Sequence, residues 1–142
     1  MDVRFPLPVV SFEEEPFWTG GGAGQLRIMR CRACGWWIHP PRPVCRRCRS
    51  TDVAPEAVSG QGTVYSYTVN HQRWAPGLDV PYVLAVVELI EQAGLRLTTR
   101  LVDPPEDLAI GDRAEVRFEQ VADDVWLPLF AVARDPGSPT SP

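Results

Sequence analysis

Four cysteines constrain this chain more than any other feature, and they are the only ones in its 142 residues. They fall as two C-x2-C pairs, Cys31 with Cys34 and Cys45 with Cys48, ten residues apart. A two-residue spacer lets one tight turn aim both sulfurs at one point, and two such knuckles complete the tetrahedron that zinc takes in structural sites. Gly35 follows the first pair, where the turn needs a positive φ angle that glycine adopts freely. With every ligand drawn from protein, no coordination position is left for water or substrate, so the metal is structural, not catalytic. Iron takes the same four thiolates and stays open as an alternative. A disulfide reading is disfavoured in a cytoplasmic chain, and redox C-x-x-C chemistry needs one pair, not two.

Hydrophobic residues make up 44% and charged residues 23% of the chain, which describes a folded globular protein. No run approaches the roughly 18 apolar residues that span a membrane. Met1 to Val10 lacks the basic-then-apolar order of a secretion signal, so a cytoplasmic location is expected. All 14 basic residues are arginine, and seven of them (Arg27, Arg30, Arg32, Arg42, Arg46, Arg47 and Arg49) lie between positions 27 and 49 with no acidic residue among them. Four thiolates on a divalent cation leave that stretch at about +5, while the remainder carries −11. A basic head on an acidic body favours an anionic partner at the head; the plainer reading is that these arginines balance the thiolates.

The chain divides into an arm (1–24), the cysteine module (25–53), a β domain (54–134) and a Pro/Ser/Gly-rich tail (135–142) expected to be disordered. Ser11 and Glu14 match a capping box, and Glu15 with Pro16 offers a second helix start. Gly20 to Gly22 and Gly24 are expected to end any helix, and Phe12, Phe17 and Trp18 give the arm an apolar side to bury. Residues 54–61 read as a linker or lead-in strand. Strands are expected at Thr63–Asn70, Tyr82–Glu91 (apolar enough to be covered on both faces), Leu95–Val102, Ala114–Phe118 and Trp126–Val132. Gln92-Ala93-Gly94 is a hairpin connection and Gln120–Asp124 an acidic turn. About five strands with few helical signals point to a mainly β chain whose C-terminal domain is a five-stranded OB-fold barrel.

The order of these parts resembles the DUF35 family of rubredoxin-like zinc-ribbon plus OB-fold proteins. The resemblance rests on Phe17-Trp18, Leu26 to Cys31 (LRIMRC), Cys34-Gly35, Pro40-Pro41-Arg42, Cys45 and Cys48. It continues through Gly60 to Thr68 (GQGTVYSYT), Pro81 to Leu89 (PYVLAVVEL) and Ile110-Gly111-Asp112, covering residues 16 to 132. Gly20-Gly21-Gly22 stands where the family has helix, and Gln92-Ala93 lengthens a hairpin. The resemblance implies a non-catalytic accessory subunit, holding Zn2+ and binding acyl-CoA beside a thiolase-like partner (thiolase, aldolase or HMG-CoA synthase) or a MaoC-type hydratase, in settings such as steroid or lipid metabolism. Coenzyme A phosphates would then suit Arg42, Arg46, Arg47 and Arg49, with His71, Arg73 and Trp74 approaching from the loop after the first barrel strand.

No other chemistry competes strongly. There is no G-x-S-x-G motif, no phosphate-cradling glycine loop and no spare cysteine nucleophile. His39, beside Pro40, reads as structural. Trp36 and Trp37 read as packing on the metal cluster and on the barrel; the functional reading makes an exposed one a partner anchor, with Phe17 and Trp18. A nucleic-acid-binding module is the alternative function, since ribbons and OB-folds both serve there. The acidic barrel and a pI near 5.1 argue against it.

Overall fold

The computed structural model describes residue 8 and residues 11–12, 14–72 and 79–133. Two antiparallel sheets carry the fold. The smaller joins β1 (Leu26–Cys31), β2 (Trp37–Ile38) and β3 (Val53–Val58) in the order β2-β1-β3. The larger joins β4 (Gln61–Asn70), β5 (Tyr82–Leu89), β6 (Arg96–Arg100), β7 (Arg113–Ala122) and β8 (Val125–Val132) in the order β6-β5-β4-β7-β8. Its two outer strands meet: Leu101 bridges Phe130, and the Val102 N–H donates to the Phe130 carbonyl at 2.8 Å. The buried Thr99 hydroxyl donates to the Pro128 carbonyl at 2.8 Å. The five strands thus close into the OB-fold barrel, and closure covers the sheet's edges.

Alternation places Leu95, Leu97, Thr99 and Leu101 inside, as their period-2 spacing predicts. β5 departs from expectation. Its apolar run is covered on one face only, with Val83, Ala85, Val87 and Leu89 buried and Leu84 and Val86 on the outer side. A barrel has a single interior, and on its outer side Leu84 lies opposite Arg100 and Val86 opposite Thr98. β7 runs past its expected end at Phe118 to Ala122, because a bulge between Gln120 and Ala122 turns Val121 inward and shrinks the acidic turn to Asp123-Asp124. Residues 54–58 belong to β3, which pairs with β1 from Leu26–Val58 to Cys31–Val53. Pro55 is tolerated there because β3 is an edge strand.

The arm holds α1 (Glu15–Thr19), which continues as a 3-10 turn over Gly20–Ala23 and stops at Gly24, φ +69°. The capping box does not form. The Ser11 carbonyl, not its hydroxyl, accepts the N–H groups of Glu14 and Glu15, and Glu14 is the N-cap. The glycines do not end the helix at once either, because they serve a close approach: a Cβ on Gly21 would overlap Trp126 and Phe118. Of the arm's aromatics, Phe17 and Trp18 therefore lie against its own body, whereas Phe12 does not. Phe17 packs on the main core, edge-on to Trp18 at 4.8 Å and tilted against His39 at 5.0 Å. That core crosses between the sheets, joining Leu26, Ile28 and Trp37 to Val64, Val87, Leu89, Leu97 and Phe130.

Candidate metal centre

The two knuckles are built alike. In the first, the Gly35 N–H donates to the Cys31 carbonyl at 2.9 Å and the Cys31 N–H to the Trp36 carbonyl at 2.8 Å. In the second, the Arg49 N–H donates to the Cys45 carbonyl at 2.8 Å and the Cys45 N–H to the Ser50 carbonyl at 2.9 Å. Gly35 adopts φ +82°, as its place after the first pair requires, and Arg49 adopts φ +64° at the matching place. The left-handed conformation costs a non-glycine residue about 1–2 kcal/mol, which the knuckle's paired hydrogen bonds offset.

The four sulfurs lie within 4.8 Å of one another, Cys31 Sγ 3.5 Å from Cys48 Sγ and Cys34 Sγ 3.7 Å from Cys45 Sγ. Sulfurs bound at about 2.3 Å around a tetrahedral centre stand about 3.8 Å apart, so the set is spaced for one ion. It is far too wide for disulfides at about 2.05 Å, and all four thiols are free. The Cys34 backbone N–H, 3.5 Å from Cys31 Sγ, leads the causes that hold that thiol down to about 6. Cys45 is lowered too, first by the backbone N–H of Cys48. The Ser50 backbone N–H lowers Cys48, but the neighbouring sulfurs, led by Cys31, and burial override it and push the thiol up to about 12. It is the spacing of the four sulfurs that makes them a donor set for one divalent cation. Cys31 and Cys45 are buried among Met29 and Ile38, with Trp36 and Val53 packed against them.

The flanks sort the remaining candidates. Trp36 packs on the cysteine cluster under the Arg47 guanidinium, 4.9 Å above its ring, whereas Trp37 is 7% exposed within the barrel core. Of the pair, Trp36 is the one with surface to offer. Arg30 stacks over Trp37 at 4.5 Å and pairs with Glu56 at 3.0 Å, so β3 brings an acid to the basic head that the sequence interval had left out. Arg42, Arg46 and Arg49 are exposed and hold no carboxylate among the described residues. Arg32, another of the seven arginines of the basic head, is equally exposed, and its position after the first cysteine of its pair matches that of Arg46. His71 is exposed at the end of β4; Arg73 and Trp74 lie outside the described residues. His39 is half-buried, and burial pulls its pKa down to about 4 against the pull of Glu14. Phe12, 87% exposed, is the arm's exposed aromatic. Trp18 Nε1 is buried with no acceptor among the described residues. No helix among the described residues is long and apolar enough to cross a membrane.

A four-thiolate knuckle pair set beside a closed five-stranded barrel defines a zinc-ribbon plus OB-fold protein. Family models agree in order and extent: the ChsH2 rubredoxin-like zinc ribbon domain matches residues 18–54 and the ChsH2 C-terminal OB-fold domain residues 55–119. The chain belongs to the DUF35 family. It is 40% identical over 101 residues to a DUF35 domain-containing scaffold protein of Methanocaldococcus jannaschii, covering 68% of this chain and 69% of that one. It is 36% identical over 129 residues to a protein of Thermomonospora curvata named "Probable enoyl-CoA hydratase alpha subunit". That match takes in 90% of this chain but only 40% of the relative. Among solved structures, a chain of the Ltp2-ChsH2(DUF35) aldolase superposes with a TM-score of 0.79 at 35% identity, covering 89% of this chain and 98% of that one.

Proposed function

We propose that this chain is a non-catalytic, cytoplasmic accessory subunit of an acyl-CoA enzyme complex, in which it binds acyl-CoA beside a thiolase-like or MaoC-type partner that carries the catalytic residues. The observation that supports this best is the match to a chain of the Ltp2-ChsH2(DUF35) aldolase over 98% of that chain's length. The hydratase alpha subunit name of the Thermomonospora relative points the same way. The zinc organises the ribbon and takes no part in chemistry, since its four ligands fill the coordination sphere.

The ribbon is the part suited to coenzyme A. Arg32, Arg42, Arg46 and Arg49 are exposed around the knuckles without carboxylate partners among the described residues, and a guanidinium grips phosphate with parallel hydrogen bonds. His71 directly follows β4, with Arg73 and Trp74 close behind it in the sequence. Trp36 and Phe12 offer aromatic surface to a partner, with Phe17 and Trp18 of the arm's helix as further anchors.

The test is the acyl-CoA affinity of the assembled complex. Removing one gripping arginine, as in Arg46→Ala or Arg49→Ala, should weaken binding about fivefold or more at low salt and much less at high salt, where exposed charges are screened. The purified chain alone should turn over no acyl-CoA. If these variants bind like the parent at low salt, the partner alone holds the coenzyme; turnover by the lone chain would overturn the accessory role.

A further inference from the structure

We propose that metal loading of the ribbon and ordering of the barrel are one cooperative event, joined through Trp37 and clasped by the side-chain amide of Gln92. Trp37 belongs to the ribbon by chain and to the barrel by packing, for it is buried in the core that holds Val64, Val87 and Phe130. Its backbone N–H donates to Gln92 Oε1 at 2.9 Å, and its carbonyl accepts from Gln92 Nε2 at 3.1 Å. A carboxamide bonded to both main-chain groups of one residue does the work of a strand partner. It extends the pairing of β2 onto the β5–β6 turn, 55 residues away.

The other side of Trp37 leads to the metal. The Arg30 guanidinium lies 4.5 Å over the indole and donates from Nε to the Gly35 carbonyl at 3.0 Å. Gly35 in turn donates to the Cys31 carbonyl. A continuous set of contacts therefore runs from the first knuckle through Arg30 and Trp37 to Gln92. β2 has only two residues and two register pairs with β1, so its own ladder holds it weakly. Its position depends on the knuckle at one end and Gln92 at the other. Without the ion the knuckle loosens, and a shift of Trp37 opens a void in the barrel core and strands the Gln92 amide. A second tie, the Ser59 N–H to Glu91 Oε2 at 2.9 Å, crosses the same junction.

The experiment uses the full chain alone, so its outcome is independent of any acyl-CoA or partner. Hydrogen exchange at residues 84–100 is measured with zinc bound, after stripping by a chelator, and after one equivalent of zinc is restored. Stripping should raise exchange across β5 and β6 at least tenfold, and zinc should reverse it. Gln92→Ala should still bind one zinc but exchange about tenfold faster there, equivalent to about 1.4 kcal/mol, and should release zinc to a chromogenic chelator sooner. If the stripped chain keeps full barrel protection and only the ribbon exchanges, the two are independent units and the proposal fails. A folded Gln92→Ala identical to the parent in exchange and zinc release removes the clasp. Should that variant not fold, the stripping and restoration of the parent decide the question.

Discussion

His39 enters the fold as a neutral ring, pressed against Phe17 and held at a pKa of about 4 by burial, with the Glu14 carboxylate pulling the other way. The unfolded chain binds a proton at about 6.5. Above that pH neither state is charged and the residue costs nothing; as pH falls from about 6.5 to about 4 the unfolded state gains a proton the folded state refuses, so stability drops. By pH 5 the loss is about 2 kcal/mol, at about 1.4 kcal/mol per pH unit. Urea midpoints at pH 7 and pH 5 should therefore fall more for the parent than for His39→Gln; equal falls would place the ring's proton elsewhere. A structural role for this histidine could be read beside Pro40. The left-handed place of Gly35 could be read too, because only glycine adopts it freely. Arg49 in the matching place gave no such sign, since nothing in an arginine side chain marks a positive φ.

At the scale of elements, the arm shows how a local pattern misleads. Three consecutive glycines look like a helix stop, yet Gly20–Ala23 continues as a tightened turn because the backbone must come within contact of Trp126. Gly21→Ala should cost about 2 kcal/mol through overpacking, visible as a lower melting temperature and a changed Trp126 near-ultraviolet signal with zinc content intact. An unchanged melt would mean that the arm is not seated on β7 and β8. The barrel strands were far more legible: the period-2 spacing of Leu95, Leu97, Thr99 and Leu101 assigns one face by itself. β5 was misjudged because composition reports apolarity but not how many sides are covered. The linker or lead-in strand read at 54–61 becomes β3 over Val53–Val58, and its pairing with β1 is not legible because Pro55 and Glu56 obscure its β character.

Across the whole molecule, the metal site was readable from spacing alone, and the two modules from their order. Their union was not. Gln92 and Trp37 are 55 positions apart, and no periodicity or motif links a hairpin glutamine to the main chain of a tryptophan. Arg30 and Glu56 meet only because β1 and β3 pair, so the basic head is less isolated in space than along the chain. One feature of this union reaches beyond stability. Because Leu26, Ile28 and Trp37 share one buried core with the barrel residues, the peptide link at Ser59 is not all that holds the halves together. Coexpressed as two polypeptides divided at Ser59, they should find each other in the presence of zinc and elute as one species on size exclusion. Separate elution would show that covalent continuity is required. Elution as one species would make the molecule its own split pair, with the tryptophan of one fragment acting as the ligand of the other.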